Sequence, residues 1–416
     1  MARQGTSTHA ASANGVEPAA TLISSDVRRH NLGIVTRYLV DNGPSSRSQI
    51  ADGTGLTRGS VTALAVALLD AGVLSEAAPL EAGGKGRPLT LLNLAADGVA
   101  LLALQLDADE VTALVTTITG TPLLRISEHH GRPMGQPDRI LDMLADVLSR
   151  ALDSDELRGR HLADVTVVVF APVGGEPAIV LADTDLGWGS VDVLAGLRAR
   201  EPRLPDLTRL AADSSLAAVA ELSELSDVRT MLYLKSNSGI GGAIIVDGTL
   251  LAGAHGLAGA LGHLAVVPGG LLCACGQHGC LDTVAGPDRV LQDAGLGDLL
   301  ASDGLTAALA ELTRRILDGE PRASAAWDTA AAWIAHTVQL LVMSFDPEAV
   351  VLGGYWAALA DSVAAKLKPL GPSIAGTVPF DTYSVQNGRL GADAALLGAI
   401  WSARDRLLQD PLQLSI

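Results

Sequence analysis

Cys273-Ala274-Cys275-Gly276-Gln277-His278-Gly279-Cys280 holds all three cysteines of this 416-residue chain, and His263 lies ten residues before the first of them. Three thiolates and one imidazole fill a tetrahedral shell and leave no open coordination position, which is the make-up of a structural zinc site (His263, Cys273, Cys275, Cys280) rather than a catalytic one. The metal would hold a loop in place. His278, inside the loop, competes with His263 as the fourth ligand. An odd number of cysteines, so closely spaced, suits a reducing compartment and a metal better than a disulfide.

Around that segment the composition is that of a globular chain, with about half of its residues hydrophobic (48%). The length points to two or three domains. No apolar run approaches the roughly 20 residues of a membrane helix, and the first residues hold no apolar stretch that a signal peptidase could use, so the expected setting is cytoplasmic, with no membrane partner. A net charge of −17 would ordinarily argue against nucleic acid, but the charge is uneven. Residues 26 to 95 carry seven Lys and Arg against six acids, which leaves the deficit to the remainder. A near-neutral head therefore precedes an acidic body.

Residues 1–24, rich in Ala, Ser, Thr and Gly, read as a disordered tail. Residues 25–95 then carry helical periodicity. Leu32, Val35 and Leu39 form one apolar stripe that stops at Asn42-Gly43-Pro44. Ser46 with Gln49 three residues on is a capping box, and a short helix to about Thr54 follows. Gly55 makes the turn, and Thr57 caps a third helix whose buried face is Val61, Leu64, Leu68 and Leu69. Val73 to Glu76 and an apolar run over 89–94 flank Gly83-Gly84-Lys85-Gly86-Arg87 and read as a two-stranded wing. The expectation is a winged helix-turn-helix.

From Gly98 strands and helices alternate in an α/β pattern: strands near 99–106, 111–118 and 122–126, a helix over 137–152, and strands near 165–170, 207–212, 230–234, 243–246 and 350–352. The strand-rich starts at 99 and 230 suggest related halves of a duplicated fold.

With these residues in hand, the chain resembles the ROK family (repressors, open reading frames and sugar kinases), in its transcriptional-repressor branch. The resemblance rests on Gly256 through His263 with Cys273 to Asp282, on Ser238-Gly239-Ile240-Gly241-Gly242 with Asp247-Gly248, on Asp346 to Gly354, on Leu186-Gly187-Trp188, and on Ser46 to Val61 with Gly86-Arg87-Pro88. It implies a two-lobed, actin-like (ribonuclease H-like) body behind the head: lobe 1 over 96–225, with a C-terminal helix over 394–410 returning to it, and lobe 2 over 226–393, with the zinc loop at 263–280.

The resemblance also implies a cleft in which family kinases phosphorylate a sugar. Several positions depart from that chemistry. The hairpin expected to surround ATP phosphates reads Asp107-Ala108-Asp109-Glu110, three carboxylates without a glycine, and like charge there repels phosphate. The family's Asn-Asp pair aligns with Ala212 and Asp213, so only the base remains. The sugar-binding glutamate aligns with Ala260, and each hydrogen bond lost costs about 1 kcal/mol. Asp282 replaces a longer glutamate. Asp213, a vestigial catalytic base, is left with His263 and Asp282 as a ligand-binding cluster. Gly239, Gly241 and Gly242 read as tight-turn glycines, and Gly353-Gly354 as a strand-to-helix turn that resembles the family's adenosine loop.

Arg58, at the first turn of the recognition helix, is placed to read guanine in the major groove. Ser60 and Thr62 are short donors beside it. Arg47 is placed for phosphate, and Lys85 and Arg87 on the wing tip for phosphate or the minor groove. The expected protein is a non-enzymatic transcriptional repressor of sugar or secondary metabolism. It would bind a double-stranded operator as a homodimer or tetramer and respond to a sugar or sugar derivative, with the zinc loop passing cleft geometry to the dimer interface and wing. Two alternatives stand beside it: a ROK-type sugar kinase with a DNA-binding appendage, and a ligand-independent regulator whose body only dimerises.

Overall fold

A computed structural model of the chain describes residues 24–77, 90–95, 98–367 and 383–411. Lys85, Arg87 and the wing tip lie outside the described residues, as does the expected tail except Ser24, which opens the first helix.

The head forms as its caps dictate. Helix α1 (Ser24–Asn42) buries Leu32, Val35 and Leu39 on one stripe. A short strand, β1 (Ser45–Ser46), leads into α2 (Arg47–Thr54). There the Gln49 amide donates to Ser46 Oγ (3.3 Å) and the Ser46 amide donates to Gln49 Oε1 (2.9 Å), the reciprocal box that satisfies two orphan donors. Gly55 ends α2 at φ 73°, a left-handed position that glycine adopts without Cβ strain. Thr57 caps α3 (Arg58–Asp70), accepting from the Ser60 amide at 3.1 Å. Val61, Leu64 and Leu68 of α3 are buried, whereas Leu69 is only half-buried at the edge of that face. Strands β2 (Leu74–Ala77) and β3 (Leu91–Leu94) pair antiparallel, and β1 adds to β3 in the order β1-β3-β2. Three helices and a small sheet make the winged helix-turn-helix.

The body holds two five-stranded sheets. The first comprises β4 (Val99–Leu106), β5 (Glu110–Thr117), β6 (Pro122–His129), β7 (His161–Val169) and β10 (Arg209–Ala212), in the order β10-β7-β4-β5-β6. All eight residues of β4 are buried, as its unbroken apolar run requires of a strand covered on both faces. Helices α4 (Pro137–Leu152) and α5 (Val193–Arg200) cover one side of this sheet, with a minor hairpin of β8 (Val173–Gly174) and β9 (Ile179–Val180) nearby. On the other side lies α6 (Asp213–Ser223).

The second sheet comprises β11 (Met231–Ser236), β12 (Ile240–Val246), β13 (Thr249–Leu250), β14 (Ala349–Gly354) and β15 (Ser384–Asn387), in the order β13-β12-β11-β14-β15. In each sheet the first strand forms a hairpin with the second, and later strands add parallel on its other side. That shared plan is the duplicated fold the two strand-rich starts suggested. Strand β15 escapes sequence reading, because Ser384-Val385-Gln386-Asn387 has little apolar content. Lobe 2 is completed by α7 (Asp282–Ala285), α8 (Pro287–Asp293), α9 (Gly297–Leu317), α10 (Pro321–Phe345) and α11 (Ala360–Ala364).

Helix α12 (Ala394–Gln409) returns to lobe 1 and ties the molecule together. Gly398 lies so close to α6 that an added Cβ would fall 2.0 Å from the Leu216 carbonyl oxygen. Arg406 grips the buried Asp164 with two nitrogens, at 2.8 and 3.2 Å, and also reaches Thr166. On its outer side α12 carries the head: Gly33 of α1 abuts the Leu408 carbonyl, where a Cβ would sit at 2.6 Å, and Arg29 pairs with Asp410 at 3.3 Å. Core residues of the head, of lobe 1 and of the lobe 2 sheet (Met231, Tyr233 and Val351 among them) form one cluster that runs from Leu32 to Leu407.

Candidate functional site

The metal-ligand set of the sequence assembles. The Leu261–His263 turn presents His263, whose Nδ1 lies 3.7 Å from Cys273 Sγ, and Cys275 Sγ lies 3.6 Å from Cys280 Sγ. One donor atom from each of the four residues falls within 4.8 Å of the others, the spacing of the edges of a tetrahedron around a thiolate-bound metal. His278 is turned away: it is exposed, with Nδ1 on the Gly270 carbonyl at 3.0 Å. Of the two histidines the sequence left competing, the fold brings His263 to the thiols. Gly279, at φ 78°, packs where a Cβ would meet the Val267 carbonyl at 1.8 Å, so the loop closes only through glycine.

Above this cluster, between the lobes, lies a cavity of about 270 Å³. Asp213, His263 and Asp282 all line it, as do the two alanines at the eroded positions, Ala212 and Ala260. The three polar residues do not bond to one another. Asp213 opens α6, with Oδ1 accepting from the Ser214 amide (2.5 Å), and its other oxygen pairs with the Lys235 ammonium in a fully enclosed contact. Burial works to lower the Lys235 pKa, but the Asp213 and Asp107 carboxylates overcome it and hold the ammonium charged. Asp282 Oδ1 accepts from the Ile240 amide at 3.0 Å. Burial, and then the charge of Asp185, push its carboxyl up to about 7.

Lys235, Asp183 and Asp185 are site residues that sequence reasoning missed. The signal for Lys235 was present: it is the lone charge in a strand otherwise buried throughout, Met231-Leu-Tyr-Leu-Lys-Ser236. Asp183 accepts from the amides of Asp185 and Leu186 (both 2.9 Å), fixing the turn before Trp188, and burial raises its carboxyl to about 6. Burial likewise raises Asp185, against the pull of the Arg132 guanidinium and then of the Ser238 hydroxyl. Gly239 leaves room for that carboxylate, since a Cβ there would stand 2.9 Å from Asp185 Oδ2. Gly242 is a packing glycine against Leu261.

The hairpin facing the cleft corrects one expectation. Only Asp107 of its three acids stays beside the Lys235–Asp213 pair. The turn, closed by the Asp107 amide on the Glu110 carbonyl (2.8 Å), sends successive side chains apart. Asp109 crosses to lobe 2 and accepts from Thr306 Oγ1 (2.7 Å) and the Thr306 amide (3.2 Å), while Glu110 faces His129 (3.3 Å). One carboxylate of the three, not all of them, stays with the Lys235–Asp213 pair.

In the head, Arg58 and Thr62 are exposed one turn apart at the start of α3. The Thr62 hydroxyl donates to the Arg58 carbonyl (2.8 Å), and the hydroxyls of Ser60 and Thr57 share a 2.8 Å bond. Arg47 lies against Glu76 of β2 at 3.6 Å.

The ROK family model matches residues 103–406. The chain belongs to the ROK family. Among its relatives, the xylose repressor of Caldicellulosiruptor bescii is 22% identical over 92% of this chain and 98% of the relative. The DNA-binding transcriptional dual regulator NagC of Escherichia coli is 24% identical over 79% of this chain and 81% of the relative. The glucokinase of Halalkalibacterium halodurans is 27% identical over 62% and 82%. Among solved structures, a ROK family transcriptional regulator, homolog of the E. coli MLC protein, superposes with TM-score 0.72 at 23% identity, covering 94% of this chain and 98% of that one. The ROK glucokinase of Streptomyces griseus, solved with glucose and AMPPNP, covers 73% of this chain at TM-score 0.58 and 21% identity. These likenesses establish the fold: a ROK body shared with kinases, preceded by helices shared with the regulator. Among the described residues, no helix is long and apolar enough to cross a membrane.

Proposed function

We propose that this ROK protein is a sequence-specific DNA-binding repressor of sugar or secondary metabolism, whose cleft takes an effector and no longer transfers phosphate. The observation that carries this reading is the buried Lys235–Asp213 pair, in a chain whose head is a capped helix-turn-helix. A general base must be free to accept the substrate proton, and a carboxylate already bonded to a buried ammonium is a poor acceptor. With Ala212 and Ala260 lining the same cavity, the groups that would orient a hexose are methyls. Support for DNA binding comes from the exposed first turn of α3 and from relatives of repressor name that match across nearly the whole chain.

Arg58 reads a base, Ser60 and Thr62 flank it, and Arg47, Lys85 and Arg87 contact backbone or minor groove. Zinc occupies the His263, Cys273, Cys275, Cys280 shell and fixes the loop beneath the cleft; with four protein ligands it has a structural role and takes no part in chemistry. The operator is palindromic and the working unit a homodimer or tetramer, in the cytoplasm.

Effector and operator are coupled through α6 and α12. Asp213 in the cleft is the first residue of α6, α6 meets α12 at Gly398, and α12 meets the head at Gly33. An effector that favours one lobe arrangement thus biases the head by its difference in affinity for the two states.

Selection of bound duplexes from a random pool tests the reading. Arg58→Ala is expected to lose about 1–3 kcal/mol of discrimination at one base pair, and Lys85→Ala to weaken all sequences alike with a shallower salt dependence. Robust ADP release with any common hexose would overturn it.

A further inference from the structure

Helix α10 buries one face in lobe 2 through residues such as Ile334, Val338 and Leu341. Its outer face carries no charge over most of its length. Residues 329–345 hold no Asp, Glu, Lys or Arg, a stretch in which the overall share of 18% charged residues would place about three. Thr329, Ala332, His336, Leu340 and Met343 are exposed there, Leu340 at 50% and Met343 at 49%, with Trp333 half-buried beside them. Steps of three and four residues set these side chains on one stripe, about 21 Å long. Single apolar residues are ordinary on a surface, but a continuous uncharged stripe marks a site of contact.

The polar groups on the stripe are already satisfied. Thr329 Oγ1 donates to the Ala325 carbonyl (3.1 Å) and Ser344 Oγ to the Leu340 carbonyl (3.0 Å), while the Trp333 and His336 rings meet edge-on with centroids 6.0 Å apart. Covering the stripe would strand neither hydroxyl.

Two properties name the occupant. With a net charge of −17 concentrated in the body, a second copy is repelled from most of this surface and approaches best where charge is missing. The sizes also run one way along the helix. Thr329 and Ala332 are small, Leu340 and Met343 are large, and His336 stands midway between them. Laid antiparallel on itself about a two-fold axis at His336, the helix sets Thr329 against Met343 and Ala332 against Leu340, small against large, as a self-complementary contact requires. Past the small end Lys366 pairs with Asp328 (2.9 Å), and past the large end Asp346 is exposed, so the same arrangement brings a cation toward an acid.

We propose that this face of α10 joins two copies of the chain, antiparallel about a two-fold axis at His336. This rests on the reading of the working unit as a homodimer and names its surface. One helix pair buries less than the roughly 800 Å² per partner of a standard interface, so the dimer dissociates in the micromolar range, and paired operator half-sites strengthen it by raising the effective concentration.

Sedimentation velocity of the metal-loaded full chain, from about 1 to 100 µM, tests it. A monomer–dimer equilibrium is expected, and Leu340→Glu should weaken it by roughly tenfold or more, since it brings carboxylates into the seam. His336→Cys, on the axis, should yield a disulfide-linked dimer on mild oxidation, whereas Ser302→Cys, exposed on α9, should yield no more than the parent. Both substituted α10 side chains are exposed, so thermal melts of the variants should match the parent. A dimer that Leu340→Glu leaves intact, or a His336→Cys chain that cross-links no better than Ser302→Cys, overturns the inference and leaves the homodimer reading standing. A parent that stays monomeric throughout the range also sinks it, and the mass of its complex with a selected duplex then reports separately on whether two copies share one operator.

Discussion

The two lobes share a strand order but differ in what their first hairpins do. In lobe 2 the β11–β12 hairpin places Lys235, Ser238 and Gly239 on the cavity, and the metal-ligand loop lies below it. In lobe 1 the β4–β5 hairpin keeps only Asp107 near the cleft and spends Asp109 on the Thr306 turn of α9. Lobe 2 thus gives the cavity a hairpin and a loop, while lobe 1 lines it with Asp183, Asp185 and Asp213 and also carries α6 and α12, with the head on α12. A duplicated plan sets where side chains can point and leaves their chemistry free to diverge.

If lobe 2 depends on its metal and lobe 1 does not, stripping the metal should separate them. Chelation, or Cys280→Ser, is expected to lower the melting temperature by on the order of 10 °C, because the binding free energy of a structural site is folding free energy. Metal analysis should give one zinc per chain, and hydrogen exchange should rise around residues 256–285 while β4 and β7 stay protected. Uniform loss of protection in both lobes would erase the distinction.

The Lys235–Asp213 pair joins the two lobes directly, so breaking it is the next largest perturbation. Lys235→Met strands a buried carboxylate and should cost about 3–5 kcal/mol in denaturant unfolding, whereas Lys235→Met with Asp213→Asn should recover most of that loss. A single variant as stable as the parent would mean that the two lobes do not depend on this contact.

Much of this was legible in the sequence, for physical reasons that differ by region. The head could be read residue by residue, since Ser46, Gln49, Gly55 and Thr57 act locally on the backbone beside them. The three-cysteine cluster was legible because residues spaced closely in sequence stay close in space, whereas the choice of His263 over His278 had to wait for the fold. Lys235, Asp185 and Asp183 were not found, because their meaning depends on which carboxylate stands opposite, and that is set by the packing of one lobe on another. The same limit explains the hairpin: sequence gives three acids in a row, but turn geometry decides that Asp109 leaves the cleft for Thr306. That assignment makes Asp109→Ala an interlobe lesion of about 1.5–3 kcal/mol, the range for hydrogen bonds to a charged group, with no change in cleft affinity beyond that carried by stability. An unchanged unfolding midpoint in this variant would return Asp109 to the cleft.

The smallest expected effect concerns pH, and its sign follows from Asp282. Its carboxyl titrates at about 7 in the folded protein against an ordinary 3.8. The folded state therefore holds this proton more tightly than the unfolded chain does, and the associated stability is present at low pH and lost as pH rises through the folded pKa. Between about pH 6 and pH 8 the loss amounts to about 1.4 kcal/mol, one pKa unit of differential binding. Urea melts in which the metal content is measured at each pH separate the carboxyl from any loss of metal. Asp282→Asn keeps the acceptor for the Ile240 amide and removes the charge, so its stability should vary less over the same range by that amount. If the parent and the variant follow the same curve, Asp282 is ionised without penalty, and its burial beside the cavity has no electrostatic consequence.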